Sequence, residues 1–218
     1  MQSDRPVVAG SDDRSVAVGS DGITQRDAAA PAVGLDGGRT AAVDAVIASL
    51  RARQPRPALV VPKPWVPWDA DIQRRLVAGD LAAAPVKLRT GLMLWNDALG
   101  ESHVLSQGIA DADGAYWHGI MHRREGDLDN AAHWFRRVGA HPAFSAVQAA
   151  AVAIAREAGL GGNTWAADLA TDLVARPWDP HRFIALCAAA RETPGPHPVL
   201  ERIQVAEIEC LLGLVTMR

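Results

Sequence analysis

From Pro85 to the C-terminus, apolar residues recur at helical spacing, and Gly, Pro and capping side chains divide the runs. This punctuation constrains the fold more than any other feature. VKLRTGLMLWNDAL places Leu88, Leu92, Trp95 and Leu99 on one face and predicts a helix that Gly100 ends. ESHVLSQGI predicts a short amphipathic turn or helix. Gly114–Glu125 and Leu128–Val138 predict a helical pair, broken at Gly126 and capped by Asp127 or Asp129. Phe144 to Ala158 predicts a helix that Gly159 ends, and Thr164 is the expected N-cap of the next, which Pro177 stops. Asp179 is expected to cap Pro180–Arg191, with proline at the favoured first position. The last helix starts near Pro198, and Ile208, Leu211, Leu212 and Val215 form an i, i+3, i+4, i+7 stripe. No βαβ alternation is present. VGSDG and GLDGG lack the flanking strand and helix of a nucleotide-binding loop. The predicted fold is all-α, a compact multi-helix array of antiparallel helical hairpins.

The N-terminal part reads differently. Residues 1–38 are rich in Gly, Ala, Ser and Asp without periodicity, which predicts a disordered tail. Residues 39–84 predict a first helix over Arg39–Arg53, a proline-rich strap and a short helix from Ala70 to Ala78 that Asp69 caps. Five prolines between Pro55 and Asp69 forbid a helix there, and Trp65 and Trp68 are expected to fasten the strap. Residues 85–218 form the expected helical core domain.

Composition narrows the class of function. Hydrophobic content of 49% is mostly Ala, Leu and Val, ample for a helical core. A net charge of −3 gives no global attraction to nucleic acid or anionic membrane, so neither is an expected partner. No apolar run reaches the roughly 18 residues of a membrane span. The start of the chain lacks a secretory signal pattern, and Cys187 and Cys210 read as buried small hydrophobes. The expected location is cytoplasmic.

The chemistry concentrates in AYWHGIMHRREGDLDNAAHWFRRVGAHPAF, Ala115 to Phe144, which holds four of the seven histidines and two Arg–Arg pairs. At about 100° per residue, His118, His122 and Glu125 share one stripe of the first helix of the pair. Imidazoles one turn apart can share a divalent metal, with Glu125 completing the set. Alternatively, one imidazole serves as general base with Glu125 orienting it. His103 or Glu101 in ESHVLSQ can join across a hairpin. The competing structural reading bonds these histidines to backbone or to Asp127 and Asp129. Arg123, Arg124, Arg136 and Arg137 can converge on a carboxylate or phosphate, or pair locally with Glu125, Asp127 and Asp129. Trp117 is a candidate contact residue as well as a core residue, alongside Trp95 and Trp134. Ser102 and Ser106 flank His103, but sequence neighbours do not form a triad, and no GxSxG elbow occurs.

Two resemblances rest on this segment. Gly119, Gly126, Ala131, Phe135 and Pro142 resemble positions of a single tetratricopeptide-like helical hairpin. YWHGIMHRREGDLDNAAHWFRRVGAHPAF, with ESHVLSQ upstream and WDPHRF and IQVAEIECLL downstream, resembles an uncharacterised family of bacterial and fungal proteins. Members share a YWH…HRRE-D–NA–WFRRVG-HP core and have Pro where this chain has Gly126. The resemblance runs from about Leu92 to the C-terminus and implies a shared fold and site region, with no activity attached. The first functional expectation is a binding or interaction module with one polar site, taking a protein partner or a small polar or anionic ligand. The second is a small enzyme, metal-dependent in one version, acting through His118, His122 and Glu125 with His103. The C-terminal stripe can serve a homodimer or the core.

Overall fold

The computed structural model describes residues 38–192 and 197–216, which fall within one compact unit that starts at Asp36. The expected tail lies outside the described residues except for Gly38. All regular structure among the described residues is helical: α1 (Gly38–Ala52), α2 (Ala70–Val77), α3 (Val86–Trp95), α4 (Leu99–Gln107), α5 (Ala112–Glu125), α6 (Leu128–Val138), α7 (Phe144–Leu160), α8 (Thr164–Ala175), α9 (Pro180–Arg191) and α10 (Pro198–Thr216). Consecutive helices pair as hairpins, α3 with α4, α5 with α6 and α7 with α8, and α10 closes the array against α3 and α7. No described helix is long and apolar enough to cross a membrane.

At the centre lies α5, buried on every side from Asp113 to Arg124. A helix buried all round is ordinarily apolar; this one carries Asp113, two histidines and two arginines. Each charge is met from far along the chain. Asp113 takes Lys87 at 2.6 Å and His141 at 2.9 Å. Arg123 pairs with Glu207 of α10, both without solvent exposure, and its guanidinium lies 4.5 Å from the Phe183 ring. Arg124 bonds Asp97 at 2.6 Å and the Leu94 carbonyl. Small residues let the neighbours close in: a Cβ at Gly91 would sit 2.6 Å from the Trp117 ring and 2.7 Å from Leu212. Packing at that density leaves no room for a methyl group.

The break between α3 and α4 differs from the sequence expectation. The helix ends at Trp95, and Gly100 lies inside α4, beneath the Trp65 ring. The cause is a set of polar contacts that the apolar stripe does not reveal. Asp97 adopts φ +62°, a left-handed conformation that aspartate tolerates better than most residues. Its carboxylate receives Arg53 at 2.7 Å on one oxygen and Arg124 on the other. The same guanidiniums also cap the Trp95 and Leu94 carbonyls at the α3 terminus. Asn96 meanwhile bonds both the N–H and the carbonyl of Asp69.

Those Asn96 bonds clamp the strap. Val61 N–H donates to the Arg124 carbonyl at 2.7 Å, Trp68 N–H to the Asn96 carbonyl at 2.8 Å, and Gln204 reaches the Ala58 carbonyl. Trp65 is half-buried, whereas Trp68 is exposed under the Arg53 guanidinium. Backbone pairing therefore fastens the strap at least as much as the two indoles.

Two further boundaries shift. Gly159 does not stop α7; it sits where a Cβ would come within 3.0 Å of Ala167 on α8, so it serves close packing. Asn163, not Thr164, caps α8, accepting from Ala166 N–H at 3.0 Å. Asp127 and Asp179 cap α6 and α9, and Gly126 closes α5 at φ +87°.

Asp97→Ala leaves two buried guanidiniums without their carboxylate and should cost about 3–5 kcal/mol in urea unfolding. The wild type also carries a pH signature. Burial alone would raise the Asp97 carboxyl, but the Arg124 charge and the bonds from Arg53 and Arg124 hold it below the usual carboxylate range. A lowered folded-state pKa gives stabilisation that is full above about pH 4 and lost as pH falls through the folded value. Asp97→Asn should flatten this limb of the stability–pH curve; an unchanged limb assigns it to other groups.

Candidate functional site

The α5–α6 hairpin and α4 converge on three histidines. His118 and His122 are one turn apart on α5, and their rings stack with centroids 4.8 Å apart. His103 comes from α4 and meets them edge-on, at 4.7 Å from His118 and 5.1 Å from His122. One ligand nitrogen from each of the three lies within 4.8 Å of the others. The α3–α4 break sets this meeting: α4 folds back along α3, and Ser102 fixes it by donating to the Thr90 carbonyl at 3.1 Å.

Glu125 has a different place from the one its spacing implies. Its carboxylate faces His122 Nδ1 at 2.5 Å, and the groups within ligand reach of one another are His103–His118–His122 and, separately, His122–Glu125–Asp127. A carboxylate on Nδ1 fixes the tautomer that leaves Nε2 as an acceptor. That Nε2 lies 3.1 Å from the Asn130 amide of α6, and the Gln107 amide lies 3.2 Å from His103 Nε2. Glu101 is exposed and belongs to neither group.

His118 is buried, and its Nδ1 has no hydrogen-bond partner. Its other ring face covers polar and aromatic neighbours: the Trp134 indole of α6 stacks at 3.8 Å, and the Arg137 guanidinium lies 5.0 Å from that indole. Burial, aided by the neighbouring His122, His103 and Arg137 charges, pushes the His118 pKa down to about 3. His103 is also lowered, chiefly by burial and then by His122, with Glu125 opposing. Neutral imidazole is the form that binds metal or accepts a proton.

The arginines do not gather here. Arg123 and Arg124, adjacent on α5, diverge to Glu207 and Asp97, fully buried. The local pairing with Glu125, Asp127 and Asp129 is thereby replaced by partners on α10 and at the α3–α4 break. Neither guanidinium reaches a ligand from solvent. Trp117 is fully buried and packs on Gly91, a core role. Arg136 and Arg137 are exposed, and Arg137 is at the edge of the histidine cluster through Trp134. Trp134, which the sequence assigned to packing, and Asn130, to which it assigned no role, are site residues. The signal was present: they are four apart on α6, the spacing of His118 and His122 on the facing helix.

His141 is committed elsewhere. His141 Nε2 faces Asp113, and its Nδ1 accepts from Ala143 N–H at 3.2 Å, so both nitrogens serve the fold. Both cysteines are free thiols; burial raises Cys187 to about 11, which leaves it unreactive. No protein-family model, curated protein or solved structure matches the chain.

His118 should stay neutral far below the pH at which an exposed imidazole protonates. Long-range ¹H–¹⁵N correlation of its ring should give a titration midpoint near 3. Between that value and the unfolded midpoint of about 6.5 the unfolded chain binds the extra proton, so stability falls as pH drops through this window. A His118 midpoint near 6.5 would contradict the desolvated geometry.

Proposed function

We propose that the protein is a helical metal-binding protein whose site is His103, His118 and His122. The observation that carries this reading is the buried, unpartnered His118 Nδ1 beside two further imidazoles from two helices. A buried polar atom without a partner is costly, and a ligand that it can bind removes the cost. Imidazole donors suit zinc, copper, iron or nickel, with zinc favouring the compact three-nitrogen arrangement. In this reading Glu125 is not a ligand. It orients His122 and raises its basicity, as carboxylates behind metal-bound histidines do.

Three nitrogen donors leave a further coordination position. With His103, His118 and His122 as its holders, a divalent ion would supply an acidified water at neutral pH, suited to hydrolytic or hydration chemistry on a small polar substrate. His103 is half-buried and supplies the solvent side of the site. Asn130 and Gln107 must release the His122 and His103 nitrogens on loading, since each amide now occupies a ring nitrogen.

Those amide contacts also favour a second reading. With Asn130 on His122 and Gln107 on His103, two of the three rings are satisfied without a metal, as in an interaction module whose polar site binds a protein partner. The two readings separate by titration with zinc after chelator treatment.

The metal reading expects one equivalent of zinc per chain and a concentration-dependent rise in Tm. His118→Ala should abolish stoichiometric binding, and Glu125→Gln should weaken it about 10–100-fold. Isothermal titration and elemental analysis measure both. No uptake and no thermal shift with zinc, nickel, copper or iron would leave the interaction module.

A further inference from the structure

A groove of about 290 Å³ lies away from the histidines, between the end of α1, the start of the strap and α10. Four arginines line it: Arg51, Arg53, Arg56 and Arg202. Ile154 and Val205, half-buried, form its apolar wall, backed by the buried Leu50 and Trp95. Glu209 is the one acidic residue in the lining, and it is paired with Arg51 at 2.5 Å. Arg202 is paired with Glu157 at the rim.

The charges beneath the groove do not balance. Arg53 is buried and spends its bonds on the Pro55 and Trp95 carbonyls and on Asp97. Arg124, behind it, leans on that same Asp97. Two buried cations thus share one carboxylate, which leaves a positive excess in low-dielectric surroundings. Arg56 is exposed at the mouth of the groove, where its charge acts on the Glu157 and Glu201 carboxylates without a direct ion pair at salt-bridge distance among the described residues. The Trp95 indole N–H, behind the groove, is buried and has no hydrogen-bond partner.

We infer that this groove binds a small organic anion, a phosphate or carboxylate carried on a flat apolar body. The anionic group meets Arg56 and Arg202, guanidiniums that match a planar or tetrahedral oxyanion with two parallel donors. The apolar body lies along the half-buried Ile154 and Val205, with Leu50 and Trp95 buried behind them. The volume is at the small end of ligand pockets, which suits a single ring and excludes a dinucleotide. The inference is independent of the metal reading, because no groove residue belongs to the histidine cluster.

The test uses phenyl phosphate as the probe with the full chain at low ionic strength, read by isothermal titration and by saturation-transfer NMR. Saturable binding is expected, weakened by salt, with benzyl alcohol binding much less. Arg56→Glu should weaken phenyl phosphate about 10–100-fold, the range for a lost charged hydrogen bond. His103→Ala should leave it unchanged. Arg56 is exposed, so this variant should keep the wild-type circular dichroism and Tm, which are checked alongside. Absence of saturable binding, equal affinity for benzyl alcohol, or an Arg56→Glu variant that binds like the wild type would each overturn the inference.

Discussion

Asp97 holds two buried guanidiniums at the turn where the chain leaves α3 and enters α4. Everything around the histidine site depends on that turn. The Arg53 and Arg124 side chains take the carbonyls that a continuing helix would have used, and Asp97 adopts the left-handed conformation that redirects the chain. Because α4 then returns along α3, His103 arrives opposite His118 and His122. The same node anchors the strap through the neighbouring Asn96.

Energetically the choice of charged residues for a central helix needs explanation. Desolvating an ion costs several kcal/mol, and a single buried pair roughly recovers that cost when its geometry is good. The arrangement around α5 therefore adds specificity more than net stability. Asp113 requires Lys87 and His141, Arg123 requires Glu207 and Arg124 requires Asp97, so a rotation or slip of α5 strands a charge. A helix fixed in rotation presents His118 and His122 to one direction, which any multi-histidine site requires.

Much of this was legible in the sequence. The all-α class, the Gly126 break, a cap at Asp127 or Asp129, the Asp179 cap and the strap all followed from spacing and from Gly, Pro and Asp chemistry. The stripe of His118 and His122 was visible from helical period, and His103 stood out as the upstream histidine able to join it. What could not be read were partners far apart in the chain. Arg123 and Arg124 had Glu125, Asp127 and Asp129 close by in sequence, yet their carboxylates are Glu207 and Asp97. The break at Asp97 was hidden by an apolar stripe that runs on to Leu99, since helical period carries no information about a side-chain cap supplied by another segment. Gly159 misled for a related reason: it serves close approach of Ala167 rather than helix termination, whereas Gly100 lies in the first turn of α4.

The central claim is that three imidazoles from α4 and α5 form one ligand set. X-ray absorption spectroscopy at the zinc edge of the zinc-loaded chain tests it most directly, because imidazole rings leave a distinct outer-shell scattering pattern. The account predicts nitrogen or oxygen donors near about 2.0–2.1 Å with three imidazoles in the fit. A first shell containing sulfur near about 2.3 Å, or one with fewer than two imidazoles, would contradict it.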